Sequence, residues 1–223
     1  MNEKERPIVL PGEFLCQREG KKIGDNVYEE DGKVFSKVIG IPKITDSEVS
    51  VIALSGKYMP KVGDRVIGTI IGVEVAGWFV DINSPYVAFL PLGEAVEEFV
   101  DTSRVDISKY YDVNEVIFCR ILKVAKNKII QVTMHDLQAK KLVGGVIVKI
   151  TPSKVPRVIG KGGSMINLIK NKTNCEILVG QNGVIWIKGK DKSKAIEAIL
   201  LIEKESHIIG LTEKVEKMLS EEK

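Results

Sequence analysis

Residues 1–137 consist largely of short runs of β-branched and aromatic residues that end at Gly, Pro or Asp-Gly turns. Runs of this length and composition are typical of β-strands joined by tight turns. No stretch reaches the roughly 18–20 apolar residues that are needed to cross a bilayer. The hydrophobic content of 44% is that of a folded protein, so wholesale disorder is excluded. This part of the chain is therefore predicted to fold as small β modules.

Turn signals and the distribution of charge divide the chain into three modules. Segments 55–64 and 135–141 are rich in Gly, Pro or polar residues and separate apolar runs. We therefore predict domains at residues 1–60, 61–137 and 138–223. These contain 9 Lys+Arg against 10 Asp+Glu, 8 against 11, and 16 against 9, so their net charges are −1, −3 and +7. A basic excess confined to one segment indicates that this segment binds nucleic acid.

Residues 1–60 are predicted to form a small β domain. Short apolar runs alternate with turns, and Asp31-Gly32 is a hairpin signal between two of these runs. The segment contains no His, and its carboxylates lie at turns, so no catalytic chemistry is expected there. Two roles stay open from the residues alone: a domain docked on its neighbour, or an interface for a larger assembly.

Five strand-like runs in about 75 residues predict a small closed barrel of the OB type for residues 61–137. The runs are residues 65–73, 77–82, 86–92, 114–124 and 129–134. Because side chains alternate across a strand, Trp78 and Phe79 point to opposite faces, and one of the two belongs to the core.

Three motifs in this barrel resemble those of S1 RNA-binding domains. They are Val62-Gly63-Asp64-Arg65-Val66-x-Gly68-x-Ile70, Gly77-Trp78-Phe79-Val80-Asp81-Ile82 and Val116-x-x-Cys119-x-Ile121-x-x-Val124. The resemblance implies that Phe79 stacks on an RNA base, with Trp78 as a helper or alternative. Arg120, Lys123, Lys126 and Lys128 are candidate phosphate contacts. The chain departs from the S1 pattern at Ala88-Phe89-Leu90-Pro91, because S1 domains often have Gly-Leu-x-His there, and Pro91 replaces the His.

The last module is predicted to have the element order β-α-α-β-β-α. Its strands are expected at residues 145–150, 175–179 and 184–188. The first helix has two possible starts, at Thr151 followed by Pro152 or at Ser153, and the last helix of the module begins at Asp191 or Ser193. The tail after residue 210 is expected to form a packing helix.

The loop Gly160-Lys161-Gly162-Gly163 lies between the first two of these helices and, in this element order, resembles the loop of a type I KH domain. Glycines let the backbone approach nucleic acid closely, and a helix N-terminus favours anions. The resemblance implies a clamp on about four nucleotides of single-stranded RNA. Lys161 supplies a cation inside the loop. The other candidate contacts are Lys154 and Arg157, which flank the loop, and Ile159 and Ile166, which form the floor of the groove.

Catalytic, metal and cofactor sites are not indicated by the sequence. Cys16, Cys119 and Cys175 form no CxxC pair, so neither a zinc site nor a disulfide framework is expected, and a reducing cytoplasm fits best. The loop at residues 160–163 lacks the spacing of a P-loop. The first residues lack the apolar run of a signal peptide. We expect a non-catalytic, cytoplasmic protein without metal, cofactor or membrane segment.

The order of a β module, an S1 module and a KH module resembles the S1/KH cap subunits of the RNA exosome, most closely the archaeal form. Further marks are Leu10-Pro11-Gly12-Glu13 and the junction at residues 58–68. The resemblance implies that three caps, alone or mixed with the zinc-ribbon type of cap, sit on a hexameric ring of RNase PH-like subunits with phosphorolytic active sites. The N-terminal domain would dock on the ring, and the cap would feed it single-stranded RNA, with A-rich 3′ tails favoured. Two alternatives stay open: a free-standing S1/KH regulatory or transcription-elongation-type factor, and a nuclease in its own right.

Overall fold

The computed structural model describes residues 8–97, 100, 105–206 and 210–220. The chain divides into two compact units, residues 1–56 and residues 57–223. The first unit holds the small β domain, and the second holds the barrel and the basic α/β domain. In the described ranges, no helix is both long and apolar enough to cross a membrane.

The N-terminal unit is built from two three-stranded sheets. Its strands are β1 (Phe14–Gln17), β2 (Lys22–Ile23), β3 (Val27–Glu30), β4 (Lys33–Ser36), β5 (Gly40–Ile44) and β6 (Glu48–Ala53). The sheet orders are β1-β4-β3 and β2-β6-β5. The predicted hairpin is confirmed, because Asp31 and Gly32 join β3 to β4 with positive φ values of 49° and 72°. The core of this unit is formed by Val9, Val27, Val34, Val49 and Val51.

In the second unit, five strands close into a barrel, which confirms the predicted OB-type module. The elements are β7 (Arg65–Glu74), β8 (Gly77–Asp81), β9 (Ala88–Pro91), α1 (Leu92–Ala95), β10 (Val116–Val124) and β11 (Ile130–Thr133). The strands pair in the order β11-β9-β8-β7-β10, and a pairing between β10 and β11 closes the ring. Alternate side chains point inward, and Ile70, Val80, Leu90 and Ile121 are fully buried.

A sixth strand, β12 (Lys140–Leu142), extends the barrel sheet. It pairs with Val116–Phe118 of β10, whereas β11 pairs with the other end of β10, at residues 120–124. The nine-residue length of β10 is what allows it to serve both neighbours. Barrel pairing thus continues past residue 138, where the sequence placed the start of the last domain. The three domain boundaries themselves stay predictions.

The last part of the second unit is an α/β domain with the predicted order β-α-α-β-β-α, followed by one more helix. The elements are β13 (Val146–Lys149), α2 (Val155–Ile159), α3 (Ser164–Thr173), β14 (Cys175–Val179), β15 (Val184–Gly189), α4 (Lys192–Lys204) and α5 (Leu211–Ser220). The strands pair in the order β13-β15-β14. Thr151, the first of the two predicted starts, precedes a 3-10 turn at Pro152–Lys154 that leads into α2. Asp191 precedes α4, and Ser193 lies inside it.

The helices bury one apolar stripe each against one face of this sheet. Ala195, Ile199 and Ile202 of α4 follow the helical spacing expected for a buried stripe and are fully buried. In α5, Leu211 and Val215 are buried as expected. This helical layer holds the loop at residues 160–163 between α2 and α3.

One turn of the α/β domain is inserted against the barrel. The turn at residues 180–183 joins β14 to β15, and its Asn182 is 0% exposed. The Asn182 Nδ2 group donates to the carbonyls of Ile67 and Ile82 at 2.8 Å each, and Oδ1 accepts from the Ile67 amide at 3.4 Å. The Asn83 Nδ2 group donates to the Asn182 carbonyl at 2.9 Å. A buried amide thereby satisfies barrel backbone groups that would otherwise lack a partner.

An apolar cluster completes this joint between the barrel and the α/β domain. It contains Ile67, Phe118 and Leu142 from the barrel strands and Val184 and Trp186 from β15. These side chains are buried on the face of the β13-β15-β14 sheet that the helices leave open. The joint therefore combines a hydrophobic cluster with directional hydrogen bonds, which fixes the orientation of the two domains.

A second polar contact holds the segment between β11 and β12 against the barrel. Asp136 accepts from Arg65 at 3.1 and 3.3 Å and forms an ion pair with Arg120, whose Nε lies 3.3 Å from Oδ2. The Gln138 amide also donates to Asp136 at 3.0 Å. The Gln138 amide first, and the Arg65 guanidinium second, hold the pKa of Asp136 below its ordinary value.

We expect the Asp136→Asn variant to be less stable than the parent at neutral pH, by about 1 kcal/mol or less, the range of partly solvated ion pairs. Because the folded-state pKa is depressed, this stability is present above the unfolded pKa of about 4 and is lost as pH falls through the folded pKa. Thermal unfolding of the parent and of Asp136→Asn should show that the difference in their stability decreases as the pH falls from neutral to acid. Asp191→Asn serves as the control. A stability difference between the parent and Asp136→Asn that stays unchanged in acid would contradict a stabilising role for the Asp136 carboxylate.

Candidate nucleic-acid interface

The loop between α2 and α3 is shaped by three glycines with positive φ. Gly160, Gly162 and Gly163 have φ values of 75°, 60° and 82°, a region that L side chains rarely adopt. A Cβ at Gly160 would lie 2.7 Å from the Met165 amide nitrogen, so no other residue fits there without a shift. A Cβ at Gly162 would meet no atom within 4 Å. The loop is thus closed towards the protein and open towards solvent.

The same loop ends at the N-terminus of α3, and its surroundings are basic. Gly163 holds the N-cap position, and no side chain caps the ten-residue helix. A helix start of this kind favours an anion, because its amides and dipole point outward. Lys161 and Arg157 are exposed, and Lys154 is half-buried at the start of α2. The structure therefore brings these predicted cations together around the loop.

The two isoleucines predicted to floor the groove differ in exposure. Ile159 ends α2 and is half-buried against the domain core, whereas Ile166 is 7% exposed and belongs to that core. Ile159 is therefore the more accessible apolar surface beside the loop, and Ile166 supports it from below.

On the barrel, the structure decides between the two neighbouring aromatics. Trp78 is 0% exposed, its Nε1 donates to the Tyr111 carbonyl at 2.7 Å, and its ring packs edge-on against Tyr111. Phe79 is 41% exposed on the outer face of β8. Trp78 is a core residue, which corrects its assignment as a candidate RNA contact and leaves Phe79 as the outward-facing ring.

Phe79 belongs to a row of residues that crosses the outside of the barrel. Strand pairing places Gly72 opposite Phe79, Phe79 opposite Phe89, Phe89 opposite Gln131, and Gln131 opposite Lys123. The Phe79 and Phe89 rings lie 5.4 Å apart between centroids. Because Gly72 has no side chain, one flank of the Phe79 ring is left open. We name the row of Gly72, Phe79, Phe89, Gln131 and Lys123 the aromatic row.

Phe89 and Gln131 were not identified from the sequence. Phe89 lies in the segment that departs from the S1 pattern, and local spacing does not show which strands pair with it. The available signal was the alternation of buried Ala88 and Leu90 around it, which places Phe89 on the outer face.

The predicted phosphate contacts on the barrel differ in exposure: Lys123, Lys126 and Lys128 are exposed, and Arg120 is half-buried beside Asp136. Lys123 is exposed at the end of the aromatic row. The Arg120 guanidinium is engaged by Asp136, a residue in the turn after β11. The ion pair links β10 to the segment that leads to β12, and the role of Arg120 as a phosphate contact stays a prediction.

Among the residues that the structure describes, no three His, Cys, Asp or Glu side chains are grouped to hold a metal ion. His135 is exposed, and His207 lies outside the described residues.

Known proteins are similar to this chain over most of its length. Exosome complex component Rrp4 of Methanothermus fervidus is 43% identical over 218 residues, which cover 97% of this chain and 96% of that protein. The protein of the same name from Pyrococcus abyssi is 43% identical over 221 residues, covering 97% and 83%. A crystal structure of a candidate exosome complex RNA-binding protein superposes with a TM-score of 0.69 at 35% identity, covering 74% of this chain and 95% of that one.

The barrel with its outer aromatics and the α/β domain with its glycine loop define an RNA-binding protein with one S1 and one KH module. Matching families are the RRP4 S1 domain over residues 57–123, the KH domain over 145–193 and the exosome RNA binding protein RRP4 N-terminal domain over 6–55. The chain belongs to the Rrp4 family of exosome complex components.

Proposed function

We propose that the protein is a non-catalytic cap of the exosome that captures single-stranded RNA and feeds it to a phosphorolytic 3′-5′ exoribonuclease ring. The observation that carries this proposal is the open glycine loop at residues 160–163, with Lys161 in it and the uncapped start of α3 behind it. Phosphates are bound at such helix starts, and neighbouring cations add affinity that depends on salt. The loop has the size of a clamp for about four nucleotides.

The S1 barrel has a different part in this proposal. The aromatic row offers π-faces that accept any base, so a strand can move along it with little sequence preference. OB-type barrels bind oligonucleotides on the face of their second and third strands, which here are β8 and β9, the strands of Phe79 and Phe89. We propose that the KH module supplies most of the affinity and that the barrel guides the strand, with A-rich 3′ tails favoured.

The Phe79→Ala variant is expected to bind single-stranded RNA about tenfold more weakly, since a base stacked on an aromatic ring contributes about 1–3 kcal/mol. Its melting temperature should stay close to that of the parent, because Phe79 lies outside the barrel core. Fluorescence anisotropy with a labelled oligonucleotide measures the affinity. Val75→Ala, at an apolar position on the β7–β8 turn that is 72% exposed, is the control. Equal affinities of Phe79→Ala and Val75→Ala would exclude Phe79 as a stacking residue.

The N-terminal unit is the part we propose to dock on the ring of RNase PH-like subunits. It exposes large apolar side chains whose burial in a partner would be favourable. These are Ile8, Leu10, Phe14, Ile39, Ile44 and Ile52. Three copies of the cap would occupy one ring, alone or together with caps of the zinc-ribbon type. We place the complex in the cytoplasm.

Association with a ring is what separates this proposal from a free-standing S1/KH factor. The test is purification of the tagged chain from its native host, followed by size-exclusion chromatography with multi-angle light scattering. A complex several times the mass of the chain that contains ring subunits and degrades RNA only with phosphate supports the cap. A monomer without ring subunits would favour the free-standing factor. RNA cleavage by the isolated chain would overturn the non-catalytic role.

A further inference from the structure

We propose that the open edge of β13 is a docking site for an extended, acidic peptide segment of a partner protein, which would add a strand to the sheet β13-β15-β14. None of the residues of this edge belongs to the glycine loop or to the aromatic row. A partner bound there would therefore add a second kind of contact to a protein that we propose to bind RNA.

The edge of β13 that faces away from β15 has no strand beside it. Residues 146–149 pair with β15 in consecutive antiparallel positions without a bulge, and β13 is the outermost strand of its sheet. In an antiparallel pair, every second residue directs its N–H and C=O groups to the neighbouring strand, so the groups of the intervening residues point outward. Among the residues that the structure describes, no strand pairs with these outward groups. They form a template for the backbone of another strand.

The side chains of this edge do not protect it from pairing. Exposed sheet edges are usually blunted by charges, proline or bulges, and β12, the outer strand of the barrel sheet, follows this rule with Lys140 and Lys141. In β13, by contrast, Val146 and Ile147 are exposed apolar residues, and only Lys149 at the end of the strand is charged. An apolar edge of this kind is typical of surfaces that bind a further strand.

A groove beside the edge offers space for the side chains of such a strand. It has a volume of about 340 Å³ and shares Gly145 and Ile147 with the edge. The Trp186 Nε1 group donates to the Gly144 carbonyl at 2.7 Å, which holds the turn before β13 in place before any partner binds. Because side chains alternate along a strand, a partner paired with β13 would direct every second side chain towards this groove. The apolar floor of the groove is formed by Val116, Leu142 and Trp186.

The charge around the edge favours an acidic partner. Lys149 is exposed at one end of β13, and Lys188 is exposed at the other end, where its Cε atom lies 4.0 Å from the position of a Cβ on Gly144. The carboxylate of Glu176, opposite Lys188 in the sheet, is paired with Lys140 at 2.5 Å. In the described ranges, neither Lys149 nor Lys188 forms an ion pair. Positive charges at both ends of an apolar edge complement a strand in which acidic residues flank apolar ones.

A second copy of the chain fits this edge less well than an acidic peptide. Two β13 strands would pair antiparallel about a twofold axis, so each copy would meet an edge of its own charge. Lys149 and Lys188 of both copies would then lie along one seam, and like charges on paired strands are destabilising. The same charges attract a segment that carries Asp or Glu.

The experiment selects random peptides displayed on phage, of about twelve residues, which is longer than β13, on the full chain. The selected peptides are synthesised with a fluorescent label, and anisotropy gives their affinities for the parent and its variants. Ile147→Lys places a charge in the groove, and Leu200→Lys, on α4, is its matched control, since the two residues are 36% and 44% exposed. Lys149→Glu reverses the charge at one end of the edge, and Lys204→Glu, exposed on α4, is the control for charge.

We expect the selected peptides to alternate apolar and acidic residues, as a strand along this edge requires. Ile147→Lys should weaken their binding about tenfold, as loss of a central apolar contact does, and Leu200→Lys should leave it unchanged. Lys149→Glu should weaken it about fivefold, while peptides with lysine in place of each acidic residue should bind Lys149→Glu better than the parent. Hydrogen exchange of the outward amides of β13 should slow when a peptide is bound.

Peptides without acidic residues, equal losses in Ile147→Lys and Leu200→Lys, or a library that yields no binder would overturn the inference. A dimer of the full chain that Ile147→Lys abolishes in light scattering would assign the edge to a second copy and overturn it as well. RNA affinity should be equal in Ile147→Lys and Leu200→Lys. A loss of RNA affinity in Ile147→Lys alone would make the edge part of the RNA surface and exclude the peptide site, whereas the proposed function fails only if the parent binds no RNA.

Discussion

The Lys161→Asp/Gly163→Asp variant should lose at least about 100-fold in affinity for single-stranded RNA at low salt, because phosphate contacts dominate such binding. The first change replaces the cation of the loop by an anion. The second places another carboxylate at the start of α3, where an RNA phosphate would lie. Both act on the part of the surface that carries most of the basic excess.

The fold should survive these two substitutions. A Cβ at Gly163 would contact only the side-chain Nδ2 atom of Asn167, at 3.5 Å. Lys161 is exposed, so its substitution disturbs no packing. Asp tolerates the left-handed backbone region better than most residues, at a cost of about 1–2 kcal/mol. Circular dichroism and thermal unfolding establish that the variant is folded before its affinity is measured by anisotropy over a salt series.

A matched control exists in the same domain. Lys217→Asp/Gly210→Asp makes the same change in charge and replaces another exposed glycine with positive φ, 79°, next to α5. We expect this control to bind RNA nearly as well as the parent. If the two double variants lose affinity equally, the loss reflects net charge, and the glycine loop is not the clamp.

The Asn182→Asp variant should unfold at a temperature about 10 °C lower than the parent, although the two side chains have nearly the same shape. An Asp carboxylate cannot donate to the carbonyls of Ile67 and Ile82, and it would place negative charge against both. Burying two unsatisfied carbonyls costs about 3 kcal/mol or more, and 1 kcal/mol shifts the melting temperature of a domain of this size by about 2–4 °C. Differential scanning calorimetry measures the shift.

Two further variants separate hydrogen bonding from packing at this joint. Asn182→Ala removes the same donors and also leaves a small cavity, so it should be destabilised to a similar extent. Gln181→Ala changes the adjacent, exposed side chain and should unfold within about 1 °C of the parent, as is usual for surface substitutions. A melting temperature for Asn182→Asp within that same margin would show that the buried amide does not hold the barrel and the KH module together.

The sequence predicted those features that depend on neighbouring residues. The glycine spacing at residues 160–163 indicated a tight loop between two helices, and the backbone conformations there are the ones that only glycine adopts readily. The Asp31-Gly32 turn and the apolar stripe of α4 followed in the same way from local rules. The element order of the KH module could be read because each signal lies within a few residues of its element.

Features that depend on strand pairing could not be read from the sequence. Alternation showed that Trp78 and Phe79 face opposite ways, but only barrel closure decides that the indole is inside, against Tyr111. The ion pair between Arg120 and Asp136 could not be read either, because the two residues meet only after β10 and β11 have paired. The sequence showed Asn182 only as part of an Asn-Gly hairpin, since its partners Ile67, Ile82 and Asn83 lie 99 to 115 residues earlier in the chain.

The cluster at the joint limits how these modules can be separated or exchanged. A fragment ending at residue 137 would lack β12 and the whole KH module, and so would uncover Ile67 and Phe118 together with the unpaired edge of β10. A KH module grafted onto another protein would carry Val184 and Trp186 as an open apolar face. For protein engineering, the S1 and KH modules are therefore a single unit.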